Sequence, residues 1–307
     1  MSERFHDGEQ SVQARMGVRA RMAEVGERVI RRAMPEQHRE LFGKLPWLVV
    51  GATDAAGQPW ASAIAGPTGF VEAPTPTRLT IDGARDPADP VVGASLHAGD
   101  AIAVLGLEAH TRRRNRANGV VAAMDREGLA IDVRESFGNC PKYIQARRAE
   151  YHASRIRPPR AHRSTALDDE ARTLVRNADT FFIASAHPRV GVDVSHRGGR
   201  PGFVGIDDDV LVVPDFTGNF FFNTLGNLVV DPRAGLLFVD YDRGDLLHVA
   251  TTVEIVWEGA AVDAFPGAER LLRFAVREVI RREAALPLAW SAAETSPFSA
   301  ATGTWAR

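Results

Sequence analysis

Trp47 to Leu107 aligns with Thr180 to Asp240 without a gap, at a constant displacement of 133 positions between Trp47 and Thr180. In that register Ser62 matches Ser195, Gly69-Phe70-Val71 matches Gly202-Phe203-Val204, Asp82 matches Asp215, Gly93 matches Gly226 and Ala101 matches Ala234. A repeat of this length constrains the fold before local propensity does, because it requires two copies of one unit. Glycines kept in both copies mark turns or close approaches that a Cβ would block. At 307 residues the chain also suits two domains of ordinary size.

The apolar runs agree with the repeat. Leu48-Val49-Val50 answers Phe181-Phe182-Ile183, and Ile102 to Leu105 answers Gly235 to Phe238. They are short, bounded by Gly, Pro or Asp, and read as buried strands. A helix precedes each copy: Pro35 in a first turn with Leu41, Phe42 and Leu45, and Asp168-Asp169-Glu170 in a first turn with Leu174, Val175 and Ala178. Leu129 to Glu135 and Leu272 to Glu278 alternate as a last strand, now displaced by 143, so the second copy has gained ten residues. Many short strands with little helix predict a mainly β (α+β) chain of two small barrels or sandwiches.

The expected organisation is an amphipathic helical arm over 1–33, a first unit over 34–150, and a basic linker over 151–166 stiffened by Pro158-Pro159. A second unit follows over 167–286, then an irregular tail over 287–307 with Trp290 and Trp305.

Composition narrows the function. Basic residues number 37 and acidic ones 39, so no global field attracts nucleic acid or an anionic membrane. The start, Met1-Ser2-Glu3-Arg4, shows no secretion signal, and no apolar run approaches the ~20 residues that span a bilayer, which predicts a cytoplasmic protein. The single cysteine, Cys140, excludes an intrachain disulfide and a CxxC knuckle, and the nine histidines show no HExxH spacing, so no metal site is expected. Redox chemistry would need a bound cofactor. There is no GxSxG motif of a hydrolase.

Chemistry is best sought where one copy carries polar groups that the other lacks. In the second copy Ser195-His196-Arg197-Gly198-Gly199 replaces Ser62-Ala63-Ile64-Ala65-Gly66. An arginine with a nearby hydroxyl and two glycines suits an anionic oxygen, through a donor fork and approachable backbone N–H groups. The same stretch reads equally as a charged hairpin edge. His196 is a candidate proton donor, but in an extended segment Ser195 and Arg197 point to the opposite face. Pro214-Asp215-Phe216-Thr217-Gly218-Asn219 and Asn223-Thr224-Leu225-Gly226-Asn227 replace the Asp82-Gly83-Ala84-Arg85-Asp86 region, and suit a phosphate or ring edge as well as an ordinary turn. In the first copy, Thr111 to Arg116 faces Gly244-Asp245-Leu246-Leu247-His248-Val249, and the loop Gly138-Asn139-Cys140-Pro141-Lys142-Tyr143 has no equivalent after Ile280. Singly, these read as a solvated arginine edge and a Pro-directed turn. Together the differences suggest one composite site with a half from each copy.

FGNCPKYIQ at 137–145, TRRRNRANG at 111–119, SHRGGRPGF at 195–203 and FNTLGN at 222–227 resemble the pyridoxamine 5′-phosphate oxidase-like flavin-binding family, in its two-unit, predicted flavin-nucleotide-binding branch. The resemblance spans about 35–280. It implies two tandem split β-barrels with FMN at their interface, the phosphate half over 193–227 and the ring-covering half over 111–143. By position it implies that Arg197 binds the phosphate, that Asn223 and Thr224 stand where the oxidases have Arg-Lys, and that Arg114 stands where they place a ring-contacting glutamine. The cofactor contacts so expected are Ser195, His196, Arg197, Gly198, Gly199, Pro214, Asp215, Asn219, Asn223, Thr224, Arg114, Asn139, Lys142 and Tyr143, with no catalytic residue assigned.

The oxidases end in an Arg-x-His substrate signature, whereas this chain ends in Thr304-Trp305-Ala306-Arg307, so true pyridoxamine 5′-phosphate oxidase activity is not expected. The implied function is an FMN-dependent oxidoreductase acting on an unidentified small molecule or electron donor. The alternatives are a flavin store or sensor, or a haem- or deazaflavin-binding relative. Homodimerisation of the internal pseudo-dimer is open. A second equivalent site is not expected, because the opposite pairing would use Ile64 and Leu247.

Overall fold

The computed structural model describes residues 4–83, 86–93, 96–126 and 128–305. Met1-Ser2-Glu3 at the chain start, Ala84 and Arg85, and Ala306 and Arg307 at the chain end lie outside the described residues.

After α1 (Asp7–Arg15), α2 (Arg19–Val29) and α3 (Glu36–Lys44) come β1 (Trp47–Thr53), β2 (Pro59–Ala65), β3 (Val71–Thr75), β4 (Arg78–Asp82), β5 (Ala101–Glu108), β6 (Arg113–Met124) and β7 (Gly128–Gly138). Short β8 (Ala149–Tyr151) and β9 (Arg160–Ser164) lead to α4 (Asp169–Asn177). The second unit holds β10 (Thr180–His187), β11 (Gly191–Gly198), β12 (Gly205–Asp207), β13 (Val210–Phe216), α5 (Asn223–Val230), β14 (Arg233–Val239), β15 (Leu246–Val256), α6 (Ala260–Asp263) and β16 (Ala268–Glu283), and β17 (Leu288–Trp290) follows.

The two units share one topology. The first sheet runs β2-β1-β5-β6-β7-β4-β3 and the second β11-β10-β14-β15-β16-β13-β12, the same order strand for strand. The 133-residue register persists through β6 and β15, so the ten additional residues fall in the β15–β16 connection, which forms α6.

Both faces of the central strands are buried, which is why their sequences are continuously apolar rather than alternating. Leu48 and Val50 of β1 enter the first unit's core, while Trp47 and Val49 join Phe182, Ala184 and Val194 in a core between the units. In β10, Phe181 and Ile183 face their own unit and Phe182 and Ala184 face the junction. Period-two alternation therefore divides each strand between two hydrophobic cores.

α3 begins after Pro35 at its N-cap, and α4 after Asp168, whose carboxylate accepts the Ala171 N–H. The arm packs across both units: Phe5, Met22 and Ile30 cluster with Phe137 of β7 and Phe221 of the second unit. α1 rests on α5 where Gly8 and Gly226 meet, so closely that a Cβ on Gly8 would stand 2.1 Å from the Gly226 carbonyl oxygen.

Parts of the segments read as linker and tail are ordered into sheets. β9 pairs with the end of β16, where Arg163 meets Glu278 and His162 meets Glu283, so the linker's basic charge finds acidic partners across the ladder. β17 pairs with β8, and Trp290 stacks edge-on against Trp47 at 5.1 Å. Aromatic burial thus fixes a stretch whose composition alone reads as irregular.

Candidate functional site

At one corner of the junction, β6 and the loop after β7 meet β11, β13 and the start of α5. They enclose a cavity of about 90 Å³ whose walls include Arg114, Asn139, Arg197, Asp215, Asn223 and Arg270. Ser195, His196, Asn219 and Thr224 also line it. Residues separated by more than one hundred positions converge there because β11 of one sheet packs across β5 and β6 of the other.

Four guanidinium groups and three carboxylates set the field. Arg116 bonds Asp193 Oδ1 and the Ser195 hydroxyl, each at 2.6 Å, and Thr224 donates its hydroxyl to Ser195 at 3.1 Å. Asp215 is shared by Arg197 at 3.1 Å and Arg270 at 2.5 Å, while Arg270 also reaches Glu269 at 2.8 Å. Arg114 has no carboxylate partner among the described residues: its donors go to the carbonyl oxygens of Cys140 at 2.6 Å and His196 at 3.4 Å. Burial first, and then repulsion from Arg116 and Arg197, lower its pKa to about 9, so it keeps its charge at neutral pH.

The buried Nε atoms of Arg114, Arg116, Arg197 and Arg270 and the Asn139 Nδ2 lack a hydrogen-bond partner. Buried donors are ordinarily satisfied, so such a group around one cavity marks a place for an acceptor-rich anion. α5 begins at Asn223 in the same wall and directs its positive end there.

Several expected contacts take other roles. The Gly199 N–H donates to the Asp179 carbonyl, and neither Gly198 nor Gly199 is part of the cavity lining. A Cβ on Gly198 would lie 2.0 Å from the Tyr143 carbonyl oxygen, and one on Gly199 would meet the Phe203 ring. The glycines admit the other unit's loop and a core ring. The His196 imidazole is packed edge-on against Phe182 at 5.7 Å, and burial, then Arg114 and Arg197, push its pKa well below the usual histidine range. It is a neutral core group. Pro214, Lys142 and Tyr143 stand outside the lining: the Lys142 ammonium lies 5.4 Å from the Phe298 ring centre, and Tyr143 packs behind Phe216 at 5.1 Å.

Sequence reasoning did not single out Arg116, Arg270 or Glu269. Arg116 carried a signal, since it lies two residues from Arg114 on the same strand face. Arg270 faces Asp215 only through the β13–β16 register.

The related corner on the other side of the junction is closed. There Ser62 stands for Ser195, and at the displacement of 143 Arg282 stands for Asn139. Arg282 bonds Asp86 at 2.6 and 3.0 Å and Asp89 at 2.6 Å, while Ser62 donates to Asp89. The chain's own carboxylates occupy the place of an anion.

The arm reaches the open corner through Glu9, which accepts the Asn223 amide and the His6 N–H. Burial, then Asp193, raises the Glu9 pKa well above 4.5, while burial, then His187, lowers that of His6 below 6.5. A raised carboxyl contributes stability that is lost as pH rises through its folded value; a lowered histidine contributes stability lost as pH falls from 6.5. The two effects therefore act in opposite directions with pH. Above pH 4.5 the Glu9 effect should loosen the arm as pH rises, so limited proteolysis within 1–33 should depend on pH, and Glu9→Gln should remove that component. A rate equally pH-dependent in the variant would contradict the assignment.

Among known proteins, residues 167–291 match the family model described as pyridoxamine 5′-phosphate oxidase. The chain matches no curated protein sequence. Similar solved structures include a HupZ protein of Group A Streptococcus, 18% identical over 36% of this chain and 90% of that one, with a TM-score of 0.30. A putative pyridoxamine 5′-phosphate oxidase from Lactobacillus delbrueckii is 17% identical over 38% of this chain and 94% of that one, with a TM-score of 0.30. An FAD-binding protein from Mesorhizobium loti is 11% identical over 41% and 98%, with a TM-score of 0.29. Each aligns over about the length of one unit. Residues 167–291, which span the second unit, are similar to the pyridoxamine 5′-phosphate oxidase family.

Proposed function

We propose that the chain binds FMN at the open corner, one per chain, as a flavin-dependent oxidoreductase of an unidentified small molecule. The observation that carries this reading is the group of buried, unpaired donors on Arg114, Arg197, Arg270 and Asn139 around one cavity. Their chemistry fits a phosphate: planar forks and single N–H groups suit its oxygens, and a dianion would offset the excess of the four guanidinium groups in the lining over its two carboxylates, Asp215 and Glu269. The match of residues 167–291 to the pyridoxamine 5′-phosphate oxidase family model accords with a flavin nucleotide.

The volume fits the phosphate end only. A cavity of about 90 Å³ is far below the roughly 300–1,000 Å³ of pockets that enclose ligands of flavin size. Phe216, Phe220 and Phe222, which also line the cavity, are the aromatic surface nearest to where a ring would sit. Bound flavin would supply electron transfer; the chain supplies anchoring, position and electrostatics. Arg197 and Arg270 would hold the anion, Arg114 would bring charge from the other unit, and Thr224 and Arg116 would fix Ser195.

A flavin store or sensor is the second reading, favoured by the lining: Asp215 and Glu269 are held in ion pairs and His196 is neutral and turned to the core, leaving no evident proton donor. Arg197→Ala should weaken FMN binding about 10- to 100-fold, the effect of one or two charge-assisted hydrogen bonds, with the far-ultraviolet spectrum unchanged. Undiminished affinity, measured by fluorescence titration, would remove the phosphate assignment. Turnover with reduced nicotinamide as electron donor separates an oxidoreductase from a store.

A further inference from the structure

A second cluster of chemistry-bearing side chains lies apart from that corner, where the start of the arm meets the end of β10. His6 caps α1, Asp7 is its first residue, and His187 ends β10, 180 positions later. We propose that His6, Asp7 and His187 form a binding site for a divalent transition-metal ion of the zinc class.

Each of the three offers one ligand atom, and these atoms lie within 4.8 Å of one another. His187 Nε2 is 2.9 Å from Asp7 Oδ1, His6 Nδ1 is 3.7 Å from the same oxygen, and the two rings stand 4.5 Å apart. Ligand atoms around tetrahedral zinc, at ~2.0–2.2 Å from the ion, are separated by roughly 3.3–3.6 Å, so the constellation brackets the required spacing. Two imidazoles and a carboxylate are a borderline donor set that selects zinc, cobalt or nickel over calcium or magnesium.

The His187–Asp7 hydrogen bond needs no metal. His6 is different: its side chain is only 9% exposed, and both ring nitrogens are buried without a hydrogen-bond partner. An imidazole in that state is short of a partner, and Asp7, Glu9 and His187 stand within reach of it, beside the Asn227 amide. Glu9, whose Oε2 lies 3.5 Å from His6 Nε2, stands by as a fourth donor if it ionises.

The charge states suit a cation. Burial keeps His6 neutral, and the His187 hydrogen bond, then the Gly8 N–H, hold Asp7 below the usual carboxylate range. Two local groups compete. Arg189 reaches Asp7 at 3.2 Å, but its side chain is 79% exposed and free to turn outward. The Arg189 N–H donates to His187 Nδ1 at 3.2 Å, so a metal at Nε2 moves the ring proton to Nδ1 and displaces that long hydrogen bond. The ion would tie α1 to β10, beside a cavity of about 1130 Å³ whose wall includes His6, His187, Asp193 and Asn223. The site thereby joins the arm to the neighbourhood of the open corner.

Tag-free full-length protein, freed of metal with chelator, is titrated with Zn²⁺ by equilibrium dialysis while its thermal midpoint is followed. One Zn²⁺ should bind per chain and raise the midpoint, and His6→Ala or His187→Ala should each weaken binding about 10-fold or more. Where a histidine variant loses its native circular dichroism, Asp7→Asn at an exposed position replaces it, with weaker binding again expected. Absence of Zn²⁺ binding by the wild type, or affinity unchanged in the folded variants, overturns the proposal.

Discussion

Arg282→Ala is expected to lower the unfolding free energy by about 3–5 kcal/mol, the usual cost of removing one partner from a buried ion-pair network. Its guanidinium is 7% exposed and is the charge partner of Asp86 and of the fully enclosed Asp89. Burial pushes the Asp89 pKa upward, but Arg282, His248 and hydrogen bonds from Ser62 and Val92 outweigh it and hold the carboxyl below 3.8. Without Arg282, Asp89 keeps its hydrogen bonds and the neighbouring His248 but no guanidinium. The wild-type contribution of Asp89 should be present at neutral pH and be lost as pH falls through its lowered value. Replacing Arg282, Asp86 and Asp89 together by apolar residues should restore most of the loss. Urea unfolding of the single and triple variants checks both; a single variant within about 1 kcal/mol of wild type would show the network to be dispensable.

Arg116→Ala is the second large effect, because the same guanidinium joins the two units and orders the candidate site. It is 2% exposed and bonds Asp193 and Ser195 across the junction. Its loss leaves Asp193 with amide donors from Asn118 and Asn227, and should cost about 3–5 kcal/mol. Arg116→Lys should recover little, since a single ammonium cannot reproduce the fork that reaches a carboxylate and a hydroxyl at once. Unfolding curves measure the first effect and FMN titration of the folded fraction the second. Full recovery by lysine would mean that charge alone, rather than the fork, is what the junction requires.

The architecture was legible because the repeat specifies it twice. Trp47 to Leu107 and Thr180 to Asp240 fall on matching strands, and Pro35 and Asp168 stand at the two helix starts where turn chemistry put them. Legibility ended where a residue's role depends on a distant partner. The Gly198-Gly199 pair reads as an anion loop from composition, yet Tyr143 and Phe203 consume the space that the missing side chains leave. Arg270 becomes a site residue only through its register with Asp215, beyond an insertion that interrupts the repeat. His6 and His187 belong to no local spacing, so their meeting is a product of how α1 docks.

Among the described residues, the Arg282 corner is closed by carboxylates and the other corner holds the unpaired donors on which the proposed flavin site rests. The most direct test is an absorption spectrum of purified protein, with mass spectrometry of what heat releases, repeated after incubation with FMN. The account predicts a flavin spectrum and FMN approaching one equivalent per chain, reduced in Arg197→Ala. A colourless protein that FMN does not reconstitute would leave the two units as described and contradict the flavin function.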